Sequence, residues 1–221
     1  MIRHPSNTNL TLLYGDYFHG LPVMVDKGPF ITEYLECLKS TIDYTFADYS
    51  RVLAFRCDLR LPCRDGLSSY IYTNQVISRF VESFKAKIES DRARARSNNQ
   101  YAHGSRVRYF WVREEGCLGK PHYHLLILLN KDAYYTVGRL DSDRTNMVGR
   151  LTEAWASALS LPVEQVSGLV HIPNNAQYRI DLNDPSGIHV LAELFYRASY
   201  LCKSATKTYG SNQHGYGSSR G

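Results

Sequence analysis

Residues 107–129 read VRYFWVREEGCLGKPHYHLLILL, and this stretch decides the fold. Val107–Glu115 and His122–Leu129 are each rich in β-branched, aromatic and aliphatic residues, the composition of strands. GCLGKP between them holds two glycines and a proline, so the pair reads as a β-hairpin. A hairpin makes the neighbouring strands antiparallel, which favours an α+β fold over a doubly wound parallel sheet.

Outward from the hairpin, VLAFRCDLRLP (residues 52–62) alternates as a strand, with Leu53, Phe55, Cys57, Leu59 and Leu61 on one side. Tyr34, Leu35, Leu38, Ile42 and Phe46 recur at helical spacing, which predicts a helix over about 31–49. Val76, Ile77, Phe80, Val81, Phe84 and Ile88 mark one face of a second helix, capped near Thr73-Asn74 and ending in an arginine cluster. A third helix is expected over about 146–159, strands near 169–172 and 177–182, and a last helix over about 188–207. Residues 1–29 are rich in Gly and Pro and read as an irregular arm. The Gly/Ser-rich end, YGSNQHGYGSSRG, reads as a flexible tail. The expected division is an arm and helix over 1–50, a main domain over 51–209 and a tail over 210–221.

The 221 residues suffice for one sizeable core, and their composition is that of a globular protein. The formal charge of +5 and pI of about 8.9 permit a nucleic-acid partner without demanding one. Positive charge is clustered at Arg92, Arg94 and Arg96, again at Arg106 and Arg108, and after Glu193 no acid appears. The first two clusters are candidates for phosphate contacts, against the plainer reading as solvated charge. Five scattered cysteines with no CxxC pair suggest reduced thiols. The longest apolar run, Leu125–Leu129, is far short of the ~20 residues of a membrane span, and the N-terminus has no signal-peptide pattern, so no membrane partner is expected.

In a strand, residues two apart share a face, so His122 and His124 project together from a largely apolar element. A divalent cation is one reason for such a pair; two satisfied structural histidines are the other. Pairing with the preceding strand brings Glu114 or Glu115 beside them, completing a His/His/carboxylate set that suits Mn²⁺ or Mg²⁺ holding a phosphate oxygen. A zinc site through Cys117 is a further reading that lacks a fourth ligand. Near the C-terminus, Tyr196, Tyr200, Lys203 and Lys207 fall within an arc of about 60° on a helix. Apolar Leu191, Leu194, Phe195, Ala198, Leu201 and Cys202 fall opposite. The pattern fits an ordinary amphipathic helix; it also fits a phenol acting as nucleophile on a phosphodiester, with a lysine to neutralise charge.

Together, His122-Tyr123-His124 and Tyr200-x-x-Lys203 resemble the two motifs of the HUH endonuclease superfamily, and FRCDLRLP resembles its first motif in position. The pair Tyr196 and Tyr200 resembles the two-tyrosine rolling-circle replication initiators of small phages, nearest to inovirus-type replication proteins. The resemblance implies a central antiparallel sheet of about five strands, ferredoxin- or RRM-like, with flanking helices. It selects Glu114 as the third metal ligand and implies Mn²⁺ or Mg²⁺ as cofactor. Tyr200 or Tyr196 would attack a single-stranded or hairpin origin, keep a 5′-phosphotyrosine link and free a 3′-hydroxyl, with Lys203 assisting and Lys207 contacting DNA. No GxxxxGK[ST] loop is present, so a host helicase and polymerase would be needed, in a bacterial cytoplasm. Rival readings are a transposase or relaxase of the same superfamily, and a DNA-binding prophage regulator without catalysis.

Overall fold

The computed structural model describes residues 2–64, 66–116, 119–138, 146–210 and 213–221. The N-terminal region holds five short strands, β1 (Ile2–His4), β2 (Asn7–Leu13), β3 (Tyr17–Phe18), β4 (Leu21–Pro22) and β5 (Phe30–Ile31). Then come α1 (Thr32–Asp48), β6 (Arg51–Arg60), α2 (Gln75–Asn98), β7 (Arg108–Glu115) and β8 (Pro121–Asn130). They are followed by α3 (Met147–Leu159), β9 (Val170–His171), β10 (Gln177–Asp181), α4 (Gly187–Ser199) and β11 (Tyr216–Ser218).

The main sheet has the order β10-β6-β8-β7-β11, with β9 pairing the far end of β6 and every pairing antiparallel. Alternation sorts its side chains into two buried layers. Leu53, Phe55, Cys57, Leu59, Trp111, Tyr123, Leu125 and Ile127 pack with residues of α2 and α3, among them Phe80, Phe84 and Trp155. Val52, Ala54, Phe110, Val112, Leu126 and Leu128 pack with Leu35, Leu38 and Ile42 of α1 and Leu194, Phe195 and Ala198 of α4. Covering both faces is why LLILL in β8 is continuously apolar instead of alternating. Trp155 is fully buried and donates its indole N–H to the Arg60 carbonyl at 2.9 Å, so α3 is both packed and hydrogen-bonded to the sheet.

Three expectations are corrected. The N-terminal residues are an ordered layer, not an irregular arm. Phe18, Val23, Phe30 and Ile31 are buried in the α1/α4 core, and the Glu33 carboxylate accepts from the Thr11 N–H and hydroxyl. The last helix ends at Ser199, and a 3₁₀ turn covers Tyr200–Cys202. Beyond it the backbone is drawn into pairing with β5, Lys203 bridging Phe30 and the Ser204 N–H donating to the Pro29 carbonyl at 2.9 Å. The tail is not free either, because β11 pairs with Phe110–Val112 of β7. Glycine there serves close approach: a Cβ on Gly217 would lie 2.7 Å from the Trp111 ring. Among the described residues, no helix is long and apolar enough to cross a membrane.

Candidate active site

The face covered by α1 and α4 changes character along its strands. Apolar Val52, Ala54, Leu126, Leu128, Phe110 and Val112 give way to Asp58, Arg60, His122, His124 and Glu114. Register brings these polar residues together: β7 sets Glu114 opposite His122, and β6 sets Asp58 opposite His124 and Arg60 opposite His122. Directly opposed residues of an antiparallel pair share a face, so the five converge.

Glu114 Oε2 lies 3.6 Å from His124 Nε2 and 3.9 Å from His122 Nε2. Those gaps are too long for hydrogen bonds. They are close to the roughly 3–3.5 Å that separates ligand atoms bound about 2.1 Å from one ion. Glu114, His122 and His124 form a set whose ligand atoms all lie within 4.8 Å of one another. One carboxylate and two imidazoles with remaining positions open is a donor set that fits Mn²⁺, and fits Mg²⁺ less well because Mg²⁺ prefers oxygen ligands.

The surrounding contacts prepare these atoms. Asp58 Oδ1 accepts from His124 Nδ1 at 2.6 Å, which places a ring proton on Nδ1 and turns Nε2 to the side where Glu114 stands. Burial opposes the Asp58 charge, but His124 and Arg56 outweigh it and hold its carboxyl below the usual range. Burial likewise opposes a charged His124; the Asp58 and Glu114 carboxylates overcome it and raise its pKa. His122 goes the other way, its pKa lowered by burial and by His124. The two rings stand 4.9 Å apart and nearly perpendicular. Asp58 also faces His171 of β9, at 3.4 Å.

Glu114 uses its two oxygens differently. Oε2 faces the imidazoles, while Oε1 accepts from the Thr206 hydroxyl and the Lys207 ammonium, both at 2.6 Å. Burial alone would raise its pKa; His124, Lys207 and Thr206 together hold it well below the usual carboxylate range. Lys207 is thereby spent. Its side chain is 1% exposed, and burial lowers its pKa against the pull of Glu114, so the expected DNA contact is corrected to an internal ion pair.

Tyr200 stands at the end of α4 with a cation on either side. Lys203 Nζ is 3.6 Å from its ring centroid and 4.0 Å from Glu114 Oε2. Arg56 Cζ is 5.7 Å from the same ring, with Nη2 3.8 Å from Asp58 Oδ1. Tyr200, Lys203, Glu114, His122 and His124 are thus joined by a chain of contacts. Tyr196, one turn earlier and 37% exposed, lines a groove with Tyr178 and Arg197.

The arginine clusters divide. Arg92 is held by Asp91 and the Tyr134 hydroxyl, and Arg108 by Asp48 and the Arg220 carbonyl, so both are engaged inside the fold. Arg94, Arg96 and Arg106 are exposed. Arg106 lies just before Arg108, where β7 begins, and Glu114 stands roughly 20 Å further along that strand at 3.4 Å per residue. The zinc reading through Cys117 lies outside the described residues.

Asp58, Arg56, His171 and Thr206 are site residues that motif reading missed. Asp58 carried a signal, being the single acid in the otherwise apolar and basic strand RVLAFRCDLR. Its role is testable. Asp58→Asn is expected to weaken Mn²⁺ affinity about 10- to 100-fold, measured by calorimetric titration, because His124 loses the partner that orients it. Unchanged affinity would remove Asp58 from the metal's support.

No solved structure matches this chain. YagK of Escherichia coli K12, itself uncharacterized, is 35% identical over 198 residues, covering 87% of this chain and 95% of YagK. YfjJ of the same organism, also uncharacterized, is 30% identical over 201 residues, covering 88% of this chain and 97% of YfjJ. The family defined by the YagK/YfjJ C-terminal domain matches residues 14–219, from β3 through β11, and so takes in both halves of the site. The chain belongs to the YagK/YfjJ C-terminal domain family.

Proposed function

We propose that this protein is a divalent-metal-dependent endonuclease that nicks single-stranded DNA through a tyrosine and initiates rolling-circle replication. The observation that carries the reading is the convergence of Glu114, His122 and His124 from two paired strands, with Tyr200 linked to them through Lys203. The chain order β6-α2-β7-β8-α3-β10 with sheet order β10-β6-β8-β7 also supports it, being the split βαβ arrangement of ferredoxin-like folds. On this reading the fold is of the HUH type, with α1, α4 and the N-terminal strands added on the metal face.

The residues divide the work. A bound Mn²⁺ or Mg²⁺, held by Glu114, His122 and His124, supplies Lewis-acid polarisation of the scissile phosphate. The Tyr200 hydroxyl gives up its proton and its oxygen attacks phosphorus; the P–O3′ bond breaks, leaving a 5′-phosphotyrosine and a 3′-hydroxyl that takes up a proton. Lys203, between the Tyr200 ring and Glu114, offsets negative charge developing at phosphorus. Tyr196 is the second nucleophile, free to resolve the strand after replication. Host helicase and polymerase, in a bacterial cytoplasm, complete the process.

The test uses labelled single-stranded oligonucleotides tiling the DNA that flanks the gene, incubated with the protein and Mn²⁺. A denaturation-resistant protein–DNA adduct is expected, and EDTA should abolish it. An adduct that survives EDTA refutes the metal's role; DNA binding with no adduct makes the protein a regulator instead. Cleavage joined to transfer into unrelated DNA would make it a transposase or relaxase.

A further inference from the structure

Arg56 is a buried cation whose charge the fold leaves largely unspent. It lies on β6 two residues before Asp58, on the same sheet face, and its side chain is only 11% exposed. Its Nε is buried without a hydrogen-bond partner. Asp58, the acid paired with it, stands 3.8 Å from Nη2, and the same Oδ1 is already bound by His124 at 2.6 Å. Burial lowers the Arg56 pKa, and the nearby Arg197 adds to the repulsion. A guanidinium carries five donors and stays charged in proteins, so burying one half-satisfied is costly unless an anion completes it.

The surroundings say which anion. Arg56 and Lys203 both lie by the Tyr200 ring and Arg197 is close enough to Arg56 to repel it, while Glu114 is already neutralised by Lys207. A groove of about 610 Å³ runs between β10 and α4, lined by Tyr178, Arg179, Tyr196 and Arg197, with Glu193 as its acid; its Arg197 is the residue whose charge repels Arg56, and its Tyr196 lies one helical turn before Tyr200. β10 is an edge strand, so the groove is open along its length. Aromatic rings interleaved with guanidinium groups suit a single strand, whose bases stack while its phosphates pair.

We propose that Arg56 clamps the phosphodiester next to the scissile one, on a single strand that enters along the groove between β10 and α4. The fork of the guanidinium would then set which bond lies opposite Tyr200, making Arg56 a determinant of where the strand is cut. The proposal rests on the nicking reading, and its test keeps the two apart.

Binding of a short labelled single-stranded oligonucleotide is measured in EDTA, where no cutting occurs, for the wild type, Arg56→Met and Arg56→Lys. Arg56→Met should weaken binding about tenfold or more while unfolding at the same or a higher temperature, since it removes a poorly paired buried charge. Arg56→Lys, which keeps the charge, provides the second reading should the methionine variant fold poorly; it should bind more weakly than wild type because the fork is lost. Neutral methylphosphonates are then walked along the oligonucleotide. One position should weaken the wild type about tenfold, weaken Arg56→Lys less and leave Arg56→Met unaffected. Binding by both variants within twofold of wild type, or an identical methylphosphonate pattern in all three, overturns the clamp. An Arg56-dependent position with no adduct in Mn²⁺ upholds the clamp and removes the nuclease; an adduct with no such position does the reverse.

Discussion

Replacing Tyr196 and Tyr200 together with phenylalanine is expected to eliminate the protein–DNA adduct and leave the fold as it is. The change removes two hydroxyls and nothing else, and neither hydroxyl is a buried group lacking a partner. The rings keep their packing, Tyr200 between Arg56 and Lys203 and Tyr196 in the groove beside α4. Stability should therefore hold to within roughly 0.5–1 kcal/mol. Cleavage should fall by about a thousandfold or more, because a covalent mechanism without its nucleophile retains only what binding and electrostatics supply. The single variants should separate the roles. Tyr200→Phe should lose most of the first cleavage, since its ring is the one linked to Glu114 through Lys203. Tyr196→Phe should keep that cleavage and lose the later strand joining. Gel separation of the labelled adduct reads each outcome, and an undiminished adduct in the double variant would exclude both tyrosines.

Glu114→Gln is expected to cost roughly 3–5 kcal/mol of stability as well as metal binding, because it leaves the Lys207 ammonium buried without its counter-charge. For a chain of this size that is a fall in melting temperature of about 10 °C. Adding Lys207→Met should restore most of the stability by removing the stranded charge, and should not restore Mn²⁺ binding, since the missing carboxylate is the proposed ligand. The pH dependence has a definite sign. Glu114 has a folded pKa held below the ordinary carboxylate value of 4.5, so the folded state binds fewer protons there than the unfolded chain. Its contribution is complete above that value and is lost as pH falls below it. The wild type should therefore lose stability on acidification more steeply than the Glu114→Gln/Lys207→Met variant. Thermal unfolding between neutral pH and about pH 3 decides it; parallel curves would mean that the pair contributes nothing to folding.

Local pattern carried a good deal of this. The apolar spacing of Tyr34 to Ile42 and of Val76 to Ile88 marked α1 and α2 because a helix face is written every three or four residues. Alternation put His122 and His124 on one face, and a short hairpin put Glu114 or Glu115 beside them; the register selects Glu114. Asp58 was beyond such reasoning: it meets His124 through the β6–β8 register, between residues 66 apart in the chain.

The sequence by itself determined the hairpin, the two-sided burial of β8 and the shared face of the histidines, since each follows from neighbours a few residues apart. Tertiary structure decided the rest. The helical arc through Tyr196, Tyr200, Lys203 and Lys207 reads the same whether or not the helix continues, and backbone pairing with Pro29 and Phe30 is what ends it. Charge shows no partner in a sequence, so Arg92 and Lys207 were indistinguishable from Arg94 and Arg96 until Asp91 and Glu114 were brought against them. Glycine in the tail could mean freedom or close approach, and only the Trp111 ring beneath Gly217 distinguishes the two. Periodicity encodes which face a side chain takes; strand order and register, which are set by contacts distant in sequence, choose what it meets there.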